Sequence, residues 1–303
     1  MNETPYTAEY EASLKSLETE NYIDRLIFRP VGFLIAKLLS KTSITPNTVT
    51  IISIFIGVAT GPLFYYNTLR LTLLGILCLF LANVLDCVDG QLARLTGKNS
   101  KIGRILDGIA GDIWFASIYV FLALRLNNQY DTWLFFIPAI LSAVSHLVQA
   151  NITDYYKTLH LYFVGKETGN EFQTFTEIRS QYRKMKPGVH KRLFYLYMGY
   201  TSFQEWITPQ LQLMLYDLHL LYGKNIPEEL RLDFRRKSRR LMKSLIDFMT
   251  FNGRILVLFA AVLTGYIWFY FVYEIIFLNL VLLLSVVIHE KICTTFTKRI
   301  KTI

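Results

Sequence analysis

Asp86-Cys87-Val88-Asp89-Gly90-Gln91-Leu92-Ala93-Arg94, followed after eight residues by Gly103-Arg104-Ile105-Leu106-Asp107-Gly108-Ile109-Ala110-Gly111-Asp112, decides how this chain is read. Four acids and two arginines stand here inside sequence apolar enough to cross a bilayer. An Asp at the centre of a membrane helix costs at least about 2.5 to 3.5 kcal/mol on insertion scales, so acids clustered in such a place mark function. Asp86 and Asp89 are three residues apart and share a helix face. Asp107 falls just inside the next apolar stretch, at a similar depth. Two neighbouring antiparallel helices therefore bring three carboxylates to one point.

Carboxylates that close repel one another unless a cation lies between them. Hard oxygen donors select Mg2+, Mn2+ or Ca2+, and phosphate chemistry commonly uses the first two. Gly90 and Ala93 remove bulk beside the acids, which lets a flat base or a diphosphate approach the helix. Arg94 supplies a fork-shaped cation suited to phosphate. The plainer reading makes Gly90 and Ala93 helix-packing residues and the charges an internal ion-pair network. It accounts for single residues but not for their concentration in one window.

Outward from this window, the 303 residues are 52% hydrophobic and 15% aromatic, with a mean hydropathy of +0.32. Soluble domains rarely combine such values with long uninterrupted apolar runs. Six stretches approach the roughly 20 residues a spanning helix needs; they lie near 47–66, 71–93, 102–126, 131–154, 253–273 and 274–292. The fold class expected is an all-α integral membrane protein with six transmembrane helices. Lys and Arg gather before the first span, around the second connection, in the stretch after the fourth span and in the tail. The remaining connections offer only Arg70, Arg125 and Glu274, so both termini are expected on the cytoplasmic side.

The net charge of +9 fits membrane flanks facing anionic headgroups. Basic residues spread in this way argue against nucleic acid as a partner. Cys78, Cys87 and Cys293 lack paired spacing and read as apolar packing residues rather than a disulfide framework or a zinc site.

The expected organisation has four parts. Residues 1–46 form an N-terminal segment whose apolar positions from Tyr22 to Leu38 make an amphipathic juxtamembrane helix broken by Pro30, lying on the membrane surface or packing as an ordinary helix. Residues 47–156 hold spans one to four with the acidic window. Residues 157–250 form a helical cytoplasmic insertion divided at Pro187-Gly188 and at Gly223 with Pro227. Residues 251–303 hold the last two spans and the basic tail.

The window resembles the signature of the CDP-alcohol phosphotransferases, Asp-x-x-Asp-Gly-x-x-Ala-Arg, about eight residues, then Gly-x-x-x-Asp-x-x-x-Asp. The match is strict through Asp107. Thr45-Pro46-Asn47-Thr48-Val49-Thr50 also looks like the family's entry into its first span. The resemblance implies an integral membrane enzyme of phospholipid or related polar-lipid synthesis with six core helices, in the inner membrane of a bacterium or the endoplasmic reticulum of a eukaryote. It implies metal-dependent transfer of a substituted phosphate from a CDP-linked donor to an alcohol hydroxyl, with CMP released. It further implies a pair of Mg2+ or Mn2+ ions on Asp86, Asp89 and Asp107, and nucleotide or diphosphate contacts from Gly90, Ala93 and Arg94, with Gly103, Asn47 and Thr50 nearby. Membrane lipids are implied as partners, and so is a homodimer.

The signature's last acid, a metal ligand and the base that takes the acceptor's proton, belongs at position 111, where this chain has Gly111. Asp112 follows one residue later. A one-residue π-bulge between Asp107 and Asp112, eased by Gly108 and Gly111, would restore Asp112 to both roles, and that bulge is the expectation here. The rival is a shift that disables the chemistry or hands the base role to another group. His146, Gln149 and Asp154 lie toward the polar end of the fourth span and are read either as acceptor contacts or as satisfied interhelical hydrogen bonds.

Two arrangements of substrate remain. Either CDP-diacylglycerol donates to a soluble alcohol, which the six spans favour slightly, or a soluble CDP-headgroup donates to a diradylglycerol or ceramide. A transporter or non-catalytic membrane protein with ion-binding acids is the alternative from another class.

Overall fold

The structure is a computed structural model and describes residues 5–14, 18–165, 172–223 and 225–301. Residues 166–171 and 224, which belong to the expected insertion, lie outside the described set. Among the described residues there are helices and no strand. Among the described residues, six helical stretches are long and apolar enough to cross a membrane: Pro46–Tyr65, Leu69–Thr96, Gly103–Tyr130, Phe136–Val164, Glu228–Thr264 and Ile267–Ile300. The chain is an all-α, multi-pass integral membrane protein.

The chain divides into two compact units, one of Met1–Leu147 with Phe251–Phe277 and one of Val148–Thr250 with Leu278–Ile303. The first holds α1 (Pro5–Ser13), α2 (Arg29–Leu39), α3 (Pro46–Tyr65), α4 (Leu69–Thr96) and α5 (Lys101–Tyr130). Helix α6 (Phe136–Val164) begins in it.

Local sequence sets these boundaries. The Thr45 side chain caps α3 by accepting from the Thr48 amide, and Pro46 occupies the first turn, where its missing N–H costs nothing. Helix α4 stops at Gly97, which takes the left-handed conformation at φ +67°. Ser100 then caps α5 by accepting from the Gly103 amide at 2.9 Å.

Helix α3 packs along both α4 and α5. The approach to α5 is close because a Cβ on Gly57 would overlap the Trp114 indole and one on Gly61 would overlap Ser117. Leu79, Trp114, Phe115, Ile118, Leu258 and Tyr270 build the core of this unit.

Three sequence-based expectations change here. Pro30 does not break the N-terminal helix. It stands in the first turn of α2 behind a π-helical turn, Asp24–Phe28, whose wider winding offsets the clash a proline makes with the preceding turn. The last two spans do not divide at residues 273 and 274. The chain turns at Gly265, φ +82°, between α11 (Phe251–Thr264) and α12 (Ile267–Val272).

Glu274 and Arg125 are not connection residues either. Glu274 is fully buried, pairs with the buried Arg254 and accepts from the Tyr270 hydroxyl at 2.8 Å. Arg125 is buried and donates to the Phe64 carbonyl at 3.1 Å and to the Asn67 side chain.

The second unit contains α7 (Phe175–Lys184), α8 (Val189–Ile207), α9 (Pro209–Tyr222), α10 (Glu228–Leu241) and α13 (Leu278–Ile300). A further break at Thr208-Pro209, absent from the sequence-based division, separates α8 from α9. Glu290 of α13 caps α9 by accepting from the Gln210 and Leu211 amides at 2.7 and 3.2 Å. Phe163 and Phe234 stack with centroids 4.2 Å apart, and the His160 Nδ1 lies 2.7 Å from the Ser238 hydroxyl.

Candidate active site

The C-terminal third of α4 and the first turns of α5 carry the acidic window. One carboxylate oxygen from each of Asp86, Asp89 and Asp107 lies within 4.8 Å of the others. Asp89 is buried, Asp86 half-buried and Asp107 exposed, so the group opens on the Asp107 side. Helix α3 braces this end through its own first turns. The Thr50 hydroxyl donates to the Asp89 carboxylate, fixing that group's orientation. A Cβ on Gly103 would lie 2.6 Å from the Asn47 Oδ1, so the absence of a side chain there lets Asn47 reach the start of α5.

Arg94 stands one turn beyond Gly90, and a Cβ at Gly90 would meet its Nη2 at 3.3 Å. The guanidinium therefore lies over the bare face of Gly90, beside Asp89. Its Nε donates to the carbonyl of Ser13 in α1. Gln91, between the two, donates to the Ser13 hydroxyl and to the Arg29 carbonyl, each at 3.2 Å. Sequence reasoning did not reach Ser13, because no local pattern connects α1 to a helix some eighty residues away.

The expected bulge is absent. Every residue of α5 from Lys101 to Tyr130 is α-helical, which puts Asp107 and Asp112 about 140° apart around the axis. Asp112 is accordingly not a member of the three-acid group. Its Oδ1 lies instead 3.5 Å from Nε2 of His146. Gly108 and Gly111 permit a distortion without imposing one, and a carboxylate with an imidazole beside it has no need of it. The π-helical turns described in this chain lie elsewhere, at Asp24–Phe28, Met242–Ile246 and Tyr273–Phe277.

His146 is buried, with its ring 4.5 Å from that of Phe115 and its Nδ1 3.1 Å from the Tyr119 hydroxyl. Gln149 and Asp154 belong to the second unit, where Gln149 donates to Asn279 at 2.8 Å and Asp154 is exposed.

A second metal-capable group, unforeseen from sequence, joins His289, Glu290 and Cys293 in that unit. Its carboxylate already serves as the cap of α9, and the His289 ring stacks on Tyr156 at 4.0 Å. Cys78, Cys87 and Cys293 are all unbridged, and the last two are buried.

The spans bring three acids together beside a glycine and an arginine, an arrangement that fits binding of a divalent cation and a phosphate. The CDP-alcohol phosphatidyltransferase profile matches residues 43–200, just over half of the chain, and the protein belongs to that family. Archaetidylinositol phosphate synthase of Pyrococcus horikoshii is 40% identical over 97 residues, covering 32% of this chain and 50% of that protein. Its namesake from Aeropyrum pernix is 32% identical over 90 residues, covering 28% and 45%. A bifunctional IPC transferase and DIPP synthase of Thermococcus kodakarensis is 27% identical over 125 residues, covering 41% and 28%. The chain thus spans half the length or less of these curated relatives.

Proposed function

We propose that this protein makes a polar lipid by transferring a substituted phosphate from a CDP-linked donor to an alcohol hydroxyl, with CMP as the leaving group. The observation that carries the reading is the convergence of Asp86, Asp89 and Asp107 on one point. An all-oxygen donor set fits Mg2+ or Mn2+, and a bound divalent ion would neutralise charge on the diphosphate and the departing CMP. Holding that ion falls to Asp86, Asp89 and Asp107, with Thr50 orienting Asp89.

Arg94, lying over Gly90, binds the diphosphate as a forked donor. Ala93, Gly103 and Asn47 shape the nucleotide's surroundings. With α5 unbroken, Asp112 stays beside His146 and away from the three acids, so the base role toward the acceptor hydroxyl passes to another group.

The relatives named archaetidylinositol phosphate synthase favour a donor that carries the lipid and a soluble alcohol as acceptor. CDP-diacylglycerol is the donor of that form proposed here. The protein would act on the cytoplasmic side of its membrane, with both termini there.

The test is incubation of purified protein with CDP-diacylglycerol or CDP-headgroup donors, a panel of alcohols and Mg2+ or Mn2+, with CMP quantified and the lipid identified by mass spectrometry. Metal-dependent CMP release with a lipid product is expected. Well-folded protein that releases none with any pair would leave the ion-binding, non-enzymatic reading in its place.

A further inference from the structure

We propose that Ser13 is a positioning residue for Arg94, which makes the N-terminal helix α1, outside the family's matched region of 43–200, a working part of the donor site. The inference rests on the function proposed above. It begins with where α1 stops. A helix leaves its last four carbonyls without intrahelical partners, and a cation beside them is favoured by the helix dipole. Helix α1 ends at Ser13, and the carbonyl of that residue accepts from the Arg94 Nε. The Ser13 hydroxyl anchors the same turn by donating to the Tyr10 carbonyl at 2.6 Å, and the Gln91 amide donates to it at 3.2 Å.

These contacts are sheltered. Ser13 is fully buried and Leu14 nearly so. Helix α1 is held against α2, where the Tyr10 ring meets Phe33 edge-on at 5.3 Å and Glu9 pairs with Lys37. Gln91 also donates to the Arg29 carbonyl, so the last turns of α4 are clasped from two points of the N-terminal segment.

The consequence is conformational. A free arginine side chain samples many rotamers, and part of that freedom is lost whenever it grips a ligand. Fixing the guanidinium at Nε sets the plane of the fork before the ligand arrives. The terminal nitrogens then stay over Gly90, where the nucleotide's phosphate is proposed to lie. Lysine cannot be held in this way, since it has no second nitrogen to spare.

The experiment uses the full chain and CMP, the nucleotide fragment shared by every CDP donor, with its Kd measured by calorimetry in Mn2+. Ser13→Leu forces bulk into a buried contact and displaces the carbonyl. It should weaken CMP about tenfold, the size of one hydrogen bond to a charged group. Mn2+ affinity, which depends on α4 and α5, should stay within about twofold.

Arg94→Lys should cost a similar factor, and Ser13→Leu added to it should cost no more than about twofold further. If Ser13→Leu does not fold, Ser13→Ala, which removes only the hydroxyl, should give about threefold in the native background and no change beside Arg94→Lys. Unchanged CMP affinity in the folded Ser13 variant, or losses that simply multiply, overturns the positioning role while leaving the proposed function intact. Failure of the native protein to bind CMP overturns both.

Discussion

Nε2 of His146 lies 3.5 Å from Oδ1 of Asp112, which places the fourth acid of the window beside an imidazole rather than among the other three. Helix α5 carries Asp112 away from the metal group, so Asp112→Asn should leave Mn2+ affinity and most CMP release intact. A loss by a factor of about 10² to 10⁴, the usual worth of a general base, would return that residue to the chemistry.

The three-acid group makes a separate prediction about metal. Asp86→Asn, Asp89→Asn and Asp107→Asn should each weaken Mn2+ binding followed by electron paramagnetic resonance, and each should abolish turnover. Chelation should silence the native protein, with Mg2+ or Mn2+ restoring it. Persistent CMP release in chelator would contradict the role given to these acids.

Thr50 reaches Asp89 from a different helix. Loss of a group that orients a metal ligand commonly costs 10- to 100-fold in affinity, so Thr50→Val should shift the Mn2+ Kd by about that much. Thr50→Ser should recover most of it because the hydroxyl is kept. Equal values for the valine and serine variants would mean that packing, not the hydrogen bond, matters at this position.

Arg254 and Glu274 form a buried pair supported by the Tyr270 hydroxyl. Removing one partner strands a charge, at a cost of about 3 to 5 kcal/mol. Arg254→Met and Glu274→Gln should therefore each lower the melting temperature in detergent markedly. Arg254→Met combined with Glu274→Met should recover part of that loss, because the second change removes the stranded carboxylate. A double variant no better than the worse single one would argue against direct pairing.

The six spans and the acid-rich hairpin were legible from the chain because they rest on local quantities: run length, hydropathy and residue spacing. Asp86 and Asp89 share a face by helical geometry alone, and Asp107 follows after a connection too short to go elsewhere. Glu274 and Arg125 were not legible, since a charge in an apolar run reads as a connection until a partner from another helix explains its burial. The bulge failed for a related reason. Spacing shows that Asp112 is one residue late, but the neighbour available to it is a matter of packing.

What the sequence determined by itself is the class of molecule and the chemistry it carries: spanning helices, and three acids with a glycine, an alanine and an arginine at the spacing of one signature. Tertiary structure alone decided the partners. It set Thr50 on Asp89, Ser13 on Arg94 and His146 on Asp112. Such contacts join residues on different helices, tens of positions apart, and their geometry depends on how whole helices pack, which no local pattern of residues encodes.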